Sequence, residues 1–341
     1  MTTEAKVEVK QTKNTGLIIG RVSENGLSIT DEGKYTNGKD NKQYNCLKVT
    51  GEIAIETPTG VIKLRVNVSE KSKDTTPESN GSKENKLFQA WSTVAKEYKD
   101  KVAEAKGNGQ ADIIKLQCQL DRQDYYSTQK KQMVSFQGLR PQFSPSRENS
   151  LTEDDFQAEL TIGGYIYTIK PEVITKGEES EETGRLIVTL ITVNFAEKAV
   201  PIDLIVPAEL ANDFENAYNV GETVELDAEV IVRHVGGQVS TKARAFGRSA
   251  NTNTGFDVTE YVVIGGSETI EEDMEGYLDT DTVKKLWNDR QIELEKIRKE
   301  GEEDKGVKNS SKGVRKPVQN NCFGTSNKPK PIPVSDGDLP F

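Results

Sequence analysis

The chain alternates apolar and polar positions in short runs, interrupted by stretches of helical period. Leu17 to Thr30 reads as a strand, with Gly20 suiting a sharp bend or bulge. Tyr44 to Thr57 and Val61 to Ser69 flank Pro58-Thr59-Gly60 and predict a hairpin. Leu47, Val49, Ile53 and Ile55 share one face, as do Ile62, Leu64, Val66 and Val68; Tyr44, Lys48, Lys63, Arg65 and Asn67 occupy the opposite one. After the polar loop Lys71 to Ser82, residues Leu87, Trp91, Val94, Ala95, Tyr98 and Val102 recur at three- and four-residue spacing. That period predicts a helix from about Lys83 to Ala105, with Trp91 in its core stripe and Gly107-Asn108-Gly109 ending it. Strand Ile113 to Arg122 follows, with Ile114, Leu116, Cys118 and Leu120 inward. A turn around Ser127 to Lys131 then leads into Met133 to Leu139, and Pro141 closes the block.

Three strands, a helix and a two-strand hairpin are the element order of the oligonucleotide-binding barrel, the OB-fold. A second block repeats that order. Phe156 to Ile174 (interrupted at Gly163-Gly164), Arg185 to Phe195 and Val200 to Val206 read as strands, and Pro207 to Tyr218 as a short helix with proline in its first turn. Gly221 to Val235, Gln238 to Phe246 and Phe256 to Val263 complete the set around a turn at Gly236-Gly237. Valine, isoleucine and threonine enrichment supports strands throughout. The expected fold is mainly β: two tandem OB-fold barrels, each of five strands plus a helix, then a charged helix and a disordered tail. The first barrel takes residues 1–148 and the second 152–266. Residues 267–300 hold an acidic stretch and a helix from about Thr282 to Glu300, striped by Val283, Leu286, Trp287, Leu294 and Ile297. Residues 301–334, rich in Lys, Asn, Ser and Pro, read as a disordered linker, and 335–341 as a protein-interaction tip.

Charge changes this picture more than composition does. The net value of −10 looks unsuited to nucleic acid until it is divided. Residues 1–150 hold 24 Lys and Arg against 19 Asp and Glu, a net of +5, whereas residues 151–266 hold 8 against 20, a net of −12. Local charge decides attraction to phosphates, so the two blocks face different partners. The second block offers Arg233, Lys242, Arg244 and Arg248 around its last hairpin, which suits assembly or protein docking better than DNA.

Catalysis has little to stand on. The single histidine, His234, lies in an apolar strand pattern, and no Walker loop, G-x-S-x-G or dinucleotide fingerprint occurs. No cofactor and no metal site is expected. Cys46, Cys118 and Cys322 are odd in number and far apart, and read as reduced cytosolic thiols. No apolar run approaches membrane-spanning length and the N-terminus has no h-region, so a cytoplasmic protein without membrane contact is expected.

The last residues, Asp336-Gly337-Asp338-Leu339-Pro340-Phe341, carry the sharpest functional signal. Acids precede an apolar dipeptide, and the chain stops on an aromatic ring bearing a carboxylate, an arrangement fit to enter a pocket with a basic rim. This ending resembles the C-terminal tip of bacterial and phage single-stranded DNA-binding proteins, where clustered Asp residues precede Ile-Pro-Phe. Leu339 replaces Ile here, and the two acids are split by Gly337. The resemblance implies a non-catalytic protein that coats single-stranded DNA in replication, recombination or repair and recruits partner proteins through Asp336, Asp338, Leu339, Pro340 and Phe341. It also implies oligomers, with a homodimer expected.

Affinity for single strands without sequence preference requires cations for the backbone and flat rings for the bases. The 2–3 hairpin offers Tyr44, Lys48, Lys63 and Arg65. The 4–5 hairpin offers Arg122, Tyr125, Tyr126, Lys130 and Lys131, and Tyr35 sits in the 1–2 loop. Strand period 2 turns only one of Tyr125 and Tyr126 outward if the strand continues. A protein-only β-barrel scaffold or adaptor is the alternative, and an RNA-binding barrel a third reading.

Overall fold

The computed structural model describes residues 10–148, 150–176, 179–235, 240–242, 250–252 and 255–308. In the first barrel, β1 (Asn14–Asn25) and β2 (Ser28–Thr36) together form the bent first strand. Both pair with β3 (Gln43–Thr57), which turns into β4 (Gly60–Ser69). The expected bulge at Gly20 is displaced: the register shifts between Val22 and Glu24. Gly20 instead lets two strands approach closely, because a Cβ there would lie 2.2 Å from the Glu56 carbonyl oxygen. Leu47 also departs from expectation. It sits near the start of β3 and is exposed, whereas Val49, Ile53 and Ile55 are fully buried.

The single helix expected from Lys83 to Ala105 is two helices, α1 (Lys86–Glu97) and α2 (Lys101–Ala105). Asp100 divides them. Its backbone is extended, and its carboxylate accepts hydrogen bonds from Ala103 N at 2.7 Å and Asn25 N at 3.0 Å, capping α2 and tying it to β1. Apolar spacing continued across this break, so periodicity alone could not reveal it. On α1, Phe88, Trp91 and Val94 are buried, and Trp91 enters the barrel core as its spacing required.

β5 (Ile113–Ser127) pairs with β1 and with β6 (Gln132–Pro141), and β6 lies alongside β4 to complete the circuit. Ile114, Leu116, Cys118 and Leu120 all point inward and are buried. Burial in that apolar setting pushes the Cys118 thiol up to about 12.

The second barrel contains β7 (Gln157–Lys176), β8 (Glu179–Val193), β9 (Ala199–Val206), α3 (Ala208–Ala217), β10 (Thr223–Val235) and β11 (Phe256–Gly266). β7 runs unbroken through Gly163-Gly164, and its register against β8 shifts at Ile166/Thr168 and Pro171/Val173. The circuit β7–β8–β9–β11–β10–β7 closes through a parallel contact, Ile205 opposite Val262. β11 therefore supplies the fifth strand. Within the expected strand Gln238 to Phe246, Ser240–Lys242 instead pairs with Ala250–Thr252 in a separate ribbon, and the Gly236-Gly237 turn lies outside the described residues.

The first strands of the two barrels pair antiparallel, from Asn14 opposite Ile162 to Ile19 opposite Gln157, fusing both barrels into one sheet. Their interiors form a single apolar cluster running from Ile18 to Val263. α4 (Thr280–Lys308) lies across the pair. Val283 and Leu286 are buried against Tyr165, Ile191 and Val193, with Trp287 half-buried beside Tyr167 at 5.0 Å between ring centroids. The helix runs through Gly301 to Lys308, where a linker was expected. A Cβ on Gly301 would sit 2.5 Å from atoms of the Tyr126 ring, so this glycine permits a contact that composition could not show. No helix among the described residues is long and apolar enough to cross a membrane.

Candidate nucleic-acid interface

The outward face of the first barrel is fixed by strand parity. Ile62, Leu64 and Val66 of β4 point into the core, so Lys63, Arg65 and Asn67 must point out. They pair across β3 with Ala54, Glu52 and Thr50, and the next outward position of β3 is Lys48. Arg65 is 92% exposed, and its nearest anion, Glu52, is 3.9 Å away. Lys63 lies 3.8 Å from Asp257 of the second barrel. Exposed pairs at such separations hold a cation weakly and leave it available to a phosphate.

At one end of this face Tyr35 and Tyr44 stand directly opposite on β2 and β3, with ring centroids 5.8 Å apart and planes 27° apart. Tyr35 was expected in a loop; it belongs to β2 because that strand continues to Thr36. The Lys71 ammonium lies over its ring at 5.9 Å. The Tyr44 hydroxyl donates to Asp40 at 2.6 Å. That hydrogen bond, followed by one from the Lys42 backbone, holds the Asp40 carboxyl below its usual range, and the bond to Asp40 raises the Tyr44 phenol. The pair is a tethered aromatic platform with one open side.

The β5–β6 hairpin divides the other predicted residues. Tyr125 is 52% exposed on the outward side, but Tyr126 faces the opposite way and packs on Gly301 of α4. Arg122 shares that covered side, bonding Gln137 at 3.1 Å and forming a close ion pair with Asp203 of the second barrel. Strand period therefore removes Tyr126 and Arg122 from the open face, against the expectation that both line it. Lys130 and Lys131 are exposed at the turn. Lys131 adopts a left-handed backbone with φ of 54°.

Two residues join the face that sequence reasoning passed over. Phe136 is 61% exposed and opposite Gln123, which places it diagonal to Tyr125 on the same side. Arg140 is further along β6, 3.4 Å from Asp121. The signal was present in the outward parity of Val134, Phe136 and Arg140. It needed the strand's inner side to be known first.

The second barrel repeats the topology, and among its described residues several cations are tied to carboxylates. Arg185 lies 15% exposed between Glu172 at 3.1 Å and Glu260 at 3.2 Å, and Glu260 also binds Arg233 at 3.0 Å. His234 Nδ1 lies 2.9 Å from Asp257, and this contact is the main cause of the lowered Asp257 carboxyl. No group of His, Cys, Asp or Glu suited to a metal occurs among the described residues.

A family model described as YorF matches residues 13–300, from the start of β1 into α4. The chain belongs to the YorF family. The family match thus spans both barrels and the helix that bridges them, and it stops before the terminal tip. No curated protein matches the chain. Among solved structures it is similar to the wild-type single-stranded DNA binding protein from Thermus aquaticus, at 10% identity and a TM-score of 0.39 over 79% of this chain and 98% of that one. A deletion mutant of the same Thermus aquaticus protein gives 10% identity and a TM-score of 0.36, over 78% and 99% of the two chains. Asp336, Asp338, Leu339, Pro340, Phe341 and Cys322 lie outside the described residues.

Proposed function

We propose that this chain is a non-catalytic single-stranded DNA-binding protein whose first barrel holds the strand across β3, β4, β6 and β5. The observation that carries the reading is the co-location of exposed rings, Tyr44, Tyr125 and Phe136, with weakly paired cations on one outward face. Rings of that kind stack bases at about 1–3 kcal/mol each, without regard to sequence. Lys48, Lys63, Arg65, Arg140, Lys130 and Lys131 supply phosphate contacts, whose strength falls with salt. On this reading the protein coats exposed strands in replication, recombination or repair. The second barrel, in which Arg185 and Arg233 are paired with carboxylates, serves assembly, including homodimer formation. The acidic tip recruits partner proteins through Leu339, Pro340 and Phe341.

Labelled oligo-dT, oligo-U and duplex DNA, titrated across salt concentrations, test the proposal. Preference for oligo-dT with a clear salt slope supports it, equal binding of oligo-U points to RNA, and binding of none leaves the protein-only scaffold. Deleting Asp336 to Phe341 should keep or tighten oligo-dT binding while abolishing partner capture. Unchanged capture would retire the tip's assigned role.

A further inference from the structure

The β5–β6 hairpin extends past the end of its barrel core, which closes at Leu120. A two-stranded hairpin is marginal in water unless something packs on it. Its outward side, with Tyr125 and Phe136, is open, so support must come from the other side. That side is held at three places. Asp203 of β9 receives the Arg122 ion pair and exchanges two backbone–side-chain hydrogen bonds with Gln137, each 2.8 Å. Arg290 of α4 pairs closely with Asp124, their side chains only 13% and 11% exposed, and donates to the Ala199 carbonyl at 3.1 Å. Gly301, farther along α4, receives the Tyr126 ring. Arg290 thus links the hairpin, the second barrel and the helix through one guanidinium. Beside it lies a cavity of about 440 Å³ lined by Arg122, Lys198, Glu293 and Ile297.

We propose that α4 is a splint for the hairpin's outward rings, with Arg290 as a positioning residue that never touches DNA. This deepens the preceding reading and rests on it for the identity of the ligand. A nearly buried ion pair suits the role: removing one partner leaves the other charge unpaired where water cannot solvate it, so the two move together or not at all. Gly301 performs the same task by shape.

The test is a double-mutant cycle on full-length protein, read by oligo-dT affinity, with amide hydrogen exchange as a DNA-free readout. Tyr125→Ala should weaken binding about tenfold in the natural sequence, from the lower part of the stacking range. In an Arg290→Ala background the same change should cost less than about twofold, because the ring is already misplaced. Amides of residues 122–136 should exchange faster in Arg290→Ala while those of Ile18 and Val49 are unchanged. Gly301→Ala is the second variant, since alanine favours the helix yet intrudes on Tyr126. It should lose affinity in the same direction. Multiplicative losses across the cycle, or unaltered exchange in the hairpin of both variants, would overturn the splint. If the natural protein ignores oligo-dT, the functional reading fails, and the exchange data still decide whether α4 holds the hairpin.

Discussion

Arg65 and Arg185 occupy comparable barrels and have opposite fates. Arg65 stands on the first barrel with its guanidinium in water, 3.9 Å from one carboxylate. Arg185 is enclosed on the second by Glu172 and Glu260. The same residue type on the same topology is a surface charge available to a ligand in one case and a structural tie in the other. Net charge follows this division, +5 against −12 over the two blocks. What a barrel binds is therefore set by which side chains its outward parity leaves unpaired, and much less by the barrel itself.

The two arginines should differ most in what their removal costs. Arg185→Ala leaves Glu172 without its cation and Glu260 with Arg233 alone, and should lower unfolding free energy by about 3 kcal/mol in a denaturant titration. Oligo-dT affinity should be unaltered while the protein remains folded. Tyr44→Ala, Tyr125→Ala and Phe136→Ala should each weaken oligo-dT binding by about 1–3 kcal/mol with every base composition. Lys63→Ala and Arg65→Ala should leave stability within about 0.5 kcal/mol. Each should flatten the log–log salt dependence by about 0.7, the value for one phosphate contact on a single strand. A large stability loss in Arg65→Ala would erase the distinction between the two arginines.

The smallest effect concerns pH. The Asp40 carboxyl is held low by the Tyr44 hydroxyl, so its folded pKa lies below its unfolded one. The contribution is present above the unfolded value and is lost as pH falls through the folded value. Asp40→Asn should therefore lower the melting temperature slightly at neutral pH, and the difference from the natural protein should vanish in acid below the usual carboxylate range.

Much of the barrel architecture was legible because strands with one buried face announce themselves by period 2. The β3–β4 hairpin and the inward set Ile114, Leu116, Cys118 and Leu120 came directly from alternation. What escaped was anything determined by a distant partner. Alternation says Tyr125 and Tyr126 face opposite ways, but α4 decides which side is covered, through contacts such as Arg290 to Asp124, separated by 166 residues. The pairing of β1 with β7 and the enclosure of Arg122 by Asp203 are equally long-range. The break at Asp100 was hidden for the converse reason. There a local cap overrode an apolar period that ran straight through it.

Fluorescence anisotropy of labelled oligo-dT, titrated with the full-length protein in dilute buffer and then with added salt, decides whether the first barrel holds single strands. Saturable binding that weakens steadily as salt rises is expected, with duplex DNA of equal length bound far less. Anisotropy that stays at the free-oligonucleotide value throughout would contradict it.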